Sequence, residues 1–136
     1  MSDLIKSMSI SAAGMKAQGT RLRVISENMA NAGSTALTPD GDPYRRKLVT
    51  FGVTLDRELG VPVVDVTRIS RDSTQFGERF QPGHPAANAS GYVKTTNVNT
   101  LVEMTDMREA ERSYQANLKV MQASRGMLQR TIDLLR

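Results

Sequence analysis

Apolar residues recur at a fixed interval along the first part of the chain. Met8, Met15, Leu22 and Met29 are seven apart, and Leu4, Ile25 and Ala32 fall on the partner position three residues later. A seven-residue repeat of this kind predicts a helix with one apolar seam. Ser11 and Gln18 interrupt the second position, and Gly14 and Gly19 lie nearby; each glycine costs about 1 kcal/mol against alanine in a helix interior. Residues 1–34 therefore read as a helix that is marginal by itself. The other end repeats the pattern more strongly, with Met107, Tyr114, Met121, Leu128 and Leu135 on one seam position and Met104, Leu118 and Ile132 on the other. Glu111 and Arg125 interrupt it. Between Val98 and Leu135 there is no proline and only Gly126 as glycine, so a single helix of about 35 residues, ~50 Å long, is expected over 98–136.

Residues 35–97 follow a different grammar. "TPDGDPY", Thr38 to Tyr44, collects prolines, aspartates and a glycine into a turn. The runs "KLVTFGVTL" and "VPVVDVTRI" are rich in β-branched residues and read as strands, with "YVKT" as a third short one. A second loop is expected at "FQPGHPAANASGY". The fold class that results is mainly α with a small β region: long N- and C-terminal helices paired as a coiled-coil-like arm, and a short β-rich middle domain. Two heptad stripes at opposite ends of one chain can bury their seams only against each other or against other chains. A lone molecule would be loosely ordered at its ends.

Composition narrows the chemistry. Aromatic residues make up 4% of the 136 positions and tryptophan is absent, so any core is aliphatic and rich in methionine. No cysteine is present, which excludes disulfides, zinc ribbons and thiol chemistry. The N-terminal residues contain neither an unbroken apolar signal core nor a membrane span, so export by a cleaved signal peptide and direct membrane insertion are both unexpected. The net charge of +4 is spread evenly, since basic and acidic side chains nearly balance in each of the three regions. The one compact basic cluster is Arg45, Arg46 and Lys47. It supports a rival reading as a nucleic-acid-binding protein, but a solvated strand entrance is the simpler account.

Catalysis has little to work with. The only histidine, His84, lies between prolines in what reads as an exposed loop. No nucleotide-binding, metalloprotease or serine-hydrolase string occurs, and no cofactor or metal site is expected. Asp40 and Asp42 are turn formers. Glu103, Asp106, Glu109 and Glu111 fall near the start of the second helix, where negative charge suits the helix dipole.

The asparagines in "SENMANAGST" are harder to place, because asparagine competes with the backbone for hydrogen bonds inside a helix. Asn28 and Asn31 are three apart and share a helical face. Asn31 and Gly33 could end the helix through left-handed conformations, and the amides could fix register against a neighbouring helix. With Asn28, Ala30, Asn31 and Thr35, this stretch resembles the N-terminal block of the bacterial flagellar rod and hook proteins. "NVNTLVEMTDMREAERSYQANLKVM" is similar to the family's C-terminal block at Asn97, Val98, Asn99, Val102, Glu103, Met104, Tyr114, Ala116 and Asn117. "PDGDPYRRKLVTF" and "GHPAANASGYVKTTNVN" resemble the proximal-rod branch.

The resemblance implies a structural, non-enzymatic subunit of the proximal rod. It would be exported by the flagellar type III apparatus and polymerised in the periplasm to transmit torque. Its partners would be other copies of itself, other rod subunits, the adjoining basal-body and export-gate proteins, and surrounding ring proteins, with no nucleic acid. Met8, Met15, Leu22, Ile25, Met29, Met104, Met107, Tyr114, Leu118, Met121, Leu128 and Ile132 would carry subunit packing. Asn28, Ala30, Asn31, Asn97 and Asn99 would set register.

Overall fold

The structure, a computed structural model, describes all of residues 1–136. In chain order it consists of α1 (Ser2–Ala30), β1 (Lys47–Asp56), β2 (Val61–Arg71), β3 (Gly77–Phe80), β4 (Tyr92–Thr95) and α2 (Thr100–Leu134). Long helices at the two ends and a small β region between them are thus the architecture. No helix is long and apolar enough to cross a membrane.

Local chemistry sets the element ends. Asn99 caps α2: its Oδ1 accepts from the N–H groups of Leu101 at 3.0 Å and Val102 at 3.4 Å, donors that the first helical turn leaves without partners. The end of α1 differs from expectation. Only Gly60 and Gly91 have positive φ, so neither Asn31 nor Gly33 is left-handed. The helix closes instead by tightening, with Asn31 N–H shared between the carbonyls of Glu27 and Asn28 and Ala32 N–H bonded to Met29. The Asn31 amide adds a bond back to the Glu27 carbonyl at 2.8 Å.

The strands form two separate two-stranded sheets, β1 with β2 and β3 with β4. Four residues join β1 to β2, too few for a parallel crossover, so this pair is an antiparallel hairpin. Asp56 starts its turn by accepting from the N–H groups of Glu58 and Leu59, and Gly60, at φ 65°, supplies the left-handed step. The β3–β4 pair is antiparallel, with Gly77 opposite Thr95 and Phe80 opposite Tyr92. β3 has no counterpart among the expected strands. It is four residues long with every residue exposed, so no apolar alternation marks it; the pairing with β4, and the edge-on contact of Phe80 and Tyr92 at 5.3 Å, define it.

The chain divides into two compact units. One gathers Met1–Leu22, Val49–Arg68 and Arg108–Arg136; the other gathers Arg23–Leu48 and Ile69–Met107. In the first, α1 meets α2 in antiparallel order. Ser7 Oγ lies 3.3 Å from Ser124 Oγ, Gly14 faces Asn117, and Arg21 pairs with Glu109 at 3.6 Å. Ser11, Ala17, Ala110 and Ser124 are buried.

These residues correct the expected seam. Ser7, Gly14 and Arg21 immediately precede Met8, Met15 and Leu22; Asn117 immediately precedes Leu118. Each helix is turned by one residue, ~100°, from the orientation that the methionines and leucines suggest. Close approach explains the choice, since a Cβ on Gly14 would stand 2.7 Å from the Asn117 amide nitrogen. Met8, Met15, Leu22, Met107, Met121 and Leu128 are left half-buried beside the contact. Tyr114, Leu118 and Ile132 are exposed. In the second unit a small cluster of Ala36, Ala86 and Val93, with Ala87 against it, forms under the β3–β4 sheet. Ile25 is buried and Met29 half-buried there, while Met104 is exposed.

The two helical glycines should respond differently to the same change. A Cβ on Gly19 would meet nothing within 4 Å, so Gly19→Ala is expected to stabilise the purified chain by about 0.5–1 kcal/mol. Gly14→Ala should forfeit that gain by displacing Asn117. Thermal melts of both variants check the contrast, and equal stabilisation by both would remove the close-approach account.

Candidate functional site

Asn28, in the last turn of α1, is 1% exposed, and every hydrogen-bonding position of its amide is used. Nδ2 donates to the Lys47 carbonyl at 2.9 Å and to Glu103 Oε2 at 3.2 Å. Oδ1 accepts from the Lys47 N–H at 2.9 Å and the Tyr44 hydroxyl at 2.7 Å. By pairing with both peptide groups of Lys47, the side chain does for the first residue of β1 what a neighbouring strand would do.

Glu103, in the first turn of α2, is fully buried. A buried carboxylate costs several kcal/mol unless charge and hydrogen bonds meet it. Arg46 meets it through Nε. The same guanidinium donates from Nη1 to Asp72 and from Nη2 to Asp106, each at 3.3 Å. Burial works against the Arg46 charge, but hydrogen bonding and attraction from Glu103, then Asp72, outweigh it and hold the group above its ordinary pKa. The Arg46 N–H is taken by Asn97 Oδ1 at 2.7 Å. Asn97 in turn donates to the carbonyls of Asp72 and Thr74. One network thus joins the end of α1, the entry to β1, the exit from β2 and the start of α2.

The basic cluster is consumed by this network. Arg45 donates to the carbonyls of Asp72 and Thr74 at 2.9 and 3.1 Å and lies 4.2 Å over the Phe76 ring. Arg46 is held by three carboxylates, and Lys47 Nζ bonds Glu27 at 2.6 Å. A phosphate backbone would have to displace internal partners from each, so the nucleic-acid reading loses its contacts. His84 is also not a solvated loop side chain. It is half-buried, accepting from the Ala86 N–H at Nδ1, 3.0 Å away, while Nε2 lies 3.2 Å from Thr35 Oγ1. It clips its loop to the segment that bridges β4 at Thr95.

Residues 89–134, covering β4 and α2, match the family model described as flagellar basal body rod FlgEFG protein C-terminal. Over 136 residues the chain is 51% identical to the flagellar basal-body rod protein FlgC of Agrobacterium fabrum, with 100% of this chain and 98% of the relative covered. The chain belongs to the FlgC family of flagellar basal-body rod proteins. It is also 39% identical to the FlgC of Salmonella typhimurium over 133 residues, covering 96% and 97% of the two chains. Against the FlgC of Bacillus subtilis it is 36% identical over 143 residues, covering 94% and 95%.

Among the residues that carry the FlgC resemblance, Asn28 and Asn97 enter the network. Asn31 bonds within its own helix, Asn99 caps α2, and Ala30 is exposed at the last position of α1. Tyr44, Asp72 and Glu103 were not foreseen as a site. Glu103 reads as a helix-dipole charge until its spacing is noticed: it lies seven residues before Ala110 and fourteen before Asn117, on the line of small residues that α2 buries. Asp72 carries no signal in its own neighbourhood.

Removing Arg46 should cost more than the network is worth. Arg46→Met leaves Glu103 buried without a counter-charge, with an expected loss of about 3–5 kcal/mol, and adding Glu103→Leu should recover much of it. Denaturant melts of the single and double variants measure this; a double variant as weak as Arg46→Met would show that the charge is not the cause.

Acid and alkali should act on different members. The Thr74 hydroxyl and N–H, with Arg46, hold the Asp72 carboxyl below its ordinary value, so its contribution is present above the unfolded pKa of ~3.9 and is lost as pH falls through the folded one. Burial, then the charges of Glu27 and Glu103, raise the Tyr44 phenol; its contribution is present below ~10 and is lost as pH rises through the folded value. Melts across pH are expected to show a weaker acid limb in Asp72→Asn and a weaker alkaline limb in Tyr44→Phe. An unchanged pair of limbs would contradict both assignments.

Proposed function

We propose that this chain is a structural subunit of the proximal rod of the flagellar basal body, exported by the flagellar type III apparatus and polymerised in the periplasm to transmit torque. Membership of the FlgC family supports the rod role. The observation that carries the assembly reading is the poverty of the core. Seven apolar residues are buried and four of them are alanine, whereas twenty large apolar side chains are exposed. Leu101, Val102, Met104, Tyr114, Leu118, Val120, Met127, Ile132, Leu134 and Leu135 all belong to that exposed set and lie on or at the end of α2. Covering such side chains is worth about 1.5–3 kcal/mol each when burial is complete, which neighbouring subunits can supply.

In this reading residues 1–34 and 98–136 are the assembly segments and 35–97 the middle domain. α1 and α2 form an antiparallel, coiled-coil-like arm closed by small residues. The half-buried Met8, Met15, Leu22, Met29, Met107, Met121 and Leu128, together with Met104, Tyr114, Leu118 and Ile132, are turned toward other copies and other rod subunits. Ile25 packs within the chain, and Asn28 sets the register of the arm.

Leu118→Asp tests this directly. Leu118 is exposed in the isolated chain, so the variant should fold and be secreted normally, yet fail to enter rods and leave cells non-motile. Secretion assays, rod counts in basal-body preparations and swimming halos check it, and normal rods in this strain would overturn the assembly reading.

A further inference from the structure

We infer that His84 is a pH-operated clip: the neutral imidazole ties the loop over residues 81–91 to the Thr35 segment, and uptake of a second ring proton releases the tie. Histidine is the side chain whose ordinary charge change falls between about pH 5 and 8, and this chain has one. The inference concerns the folded chain by itself and goes beyond the rod role.

The backbone settles which ring nitrogen carries the hydrogen. The Ala86 N–H can only donate, and it meets Nδ1 at 3.0 Å, so Nδ1 holds a lone pair. Nε2 then bears the hydrogen of the neutral ring and donates it to Thr35 Oγ1 at 3.2 Å. A second proton goes to Nδ1 and sets a donor against a donor. The neutral ring makes both bonds; the charged ring cannot keep the one to Ala86. The clip is therefore closed while Nδ1 is bare and opens as pH falls.

Both ends of the clip bear on packing. Thr35 precedes Ala36, and Ala36 and Ala86 meet in the cluster under Val93. Thr35 is held a second time by its bridge to Thr95. Other bonds of the loop stay closed in acid because no histidine nitrogen enters them: Gln81 N–H to the Gly91 carbonyl and Asn88 N–H to the Tyr92 carbonyl, each at 2.9 Å. Opening is thus confined to the side of the loop that carries Ala86.

No carboxylate waits to hold the charged ring in place. Segments 31–39 and 81–91 contain no ionisable side chain besides His84. On the adjoining sheet, Arg79 is paired with Val93 and shares its face, and it bonds Gln81 at 3.0 Å. Glu78, Tyr92 and Lys94 alternate onto the opposite face. The turn beside Ala36 carries Asp40 and Asp42; both are exposed, and Asp42 pairs with Lys94 at 3.2 Å.

Amide hydrogen exchange of the full-length chain, read by NMR at about pH 8 and about pH 5 and corrected for the intrinsic rate, tests the clip. Protection of the Ala86 amide should fall about fivefold in acid, the worth of one hydrogen bond, while the Gly60 amide in the hairpin turn keeps its protection. His84→Asn supplies a carbonyl oxygen that can accept from the Ala86 N–H two residues on and does not titrate, so its Ala86 protection should not change with pH. The ring nitrogens of the unaltered chain give a readout that needs no variant: their chemical shifts should show hydrogen on Nε2 in the neutral form. Hydrogen on Nδ1 there overturns the inference. So does Ala86 protection that is equal at the two pH values, that falls no more than Gly60, or that falls as far in His84→Asn.

Discussion

Glu103 has no access to water, and an ionised carboxylate in that position is tolerable only while charge and donors face it. Arg46 and Asn28 do so, and the requirement propagates outward from them. Arg46 stays in place because Asn28 grips both peptide groups of Lys47, the next residue. Its remaining nitrogens fix Asp72 and Asp106, and its own N–H is held by Asn97. Residues as far apart as Asn28 and Glu103 are ordered by one network, whose members lose their partners together when one is removed.

A different economy governs the contact between the helices around Gly14. Serine, glycine and alanine there contribute little apolar area, but they let the backbones approach closely enough for Asn117 to fill the space a Cβ would take. What is given up in burial inside the chain is left available outside it. The long side chains one residue further on lie beside the contact or in solvent. A helix with a small-residue face inward and an adjacent apolar face free is consistent with the rod role proposed above.

The β region follows the same division of labour. The apolar cluster of the β3–β4 sheet is Ala36, Ala86 and Val93, too small to hold that sheet and its loops by apolar burial alone. Hydrogen bonds that close loops on themselves do much of the work: Asp56 in the hairpin turn, His84 between Ala86 and Thr35, and Asn88 accepting from Ser90 and Tyr92. Loops held this way keep their shape without demanding a large interior, and anything that binds the folded form adds to its stability by mass action.

The heptad spacing of Met8, Met15, Leu22 and Met29, and of Met107, Met121 and Leu128, determined that both ends are helices, because a 3.6-residue turn is a local property that side-chain periodicity reports directly. The β-branched runs and the Asp-Gly and Pro-Gly punctuation likewise located β1, β2, β4 and the loops. The blocks around Asn28 and Asn97 pointed to the family. Which side of each helix faces inward was decided only by the tertiary structure, since hydrophobic periodicity cannot distinguish a stripe buried within one chain from one reserved for another, and close packing at Gly14 turned both helices by a residue. The inward Glu103, the role of Arg46 and the short β3 were equally beyond reach from sequence: a charge is tolerable in an interior only through partners that lie far away along the chain, and no local pattern records them.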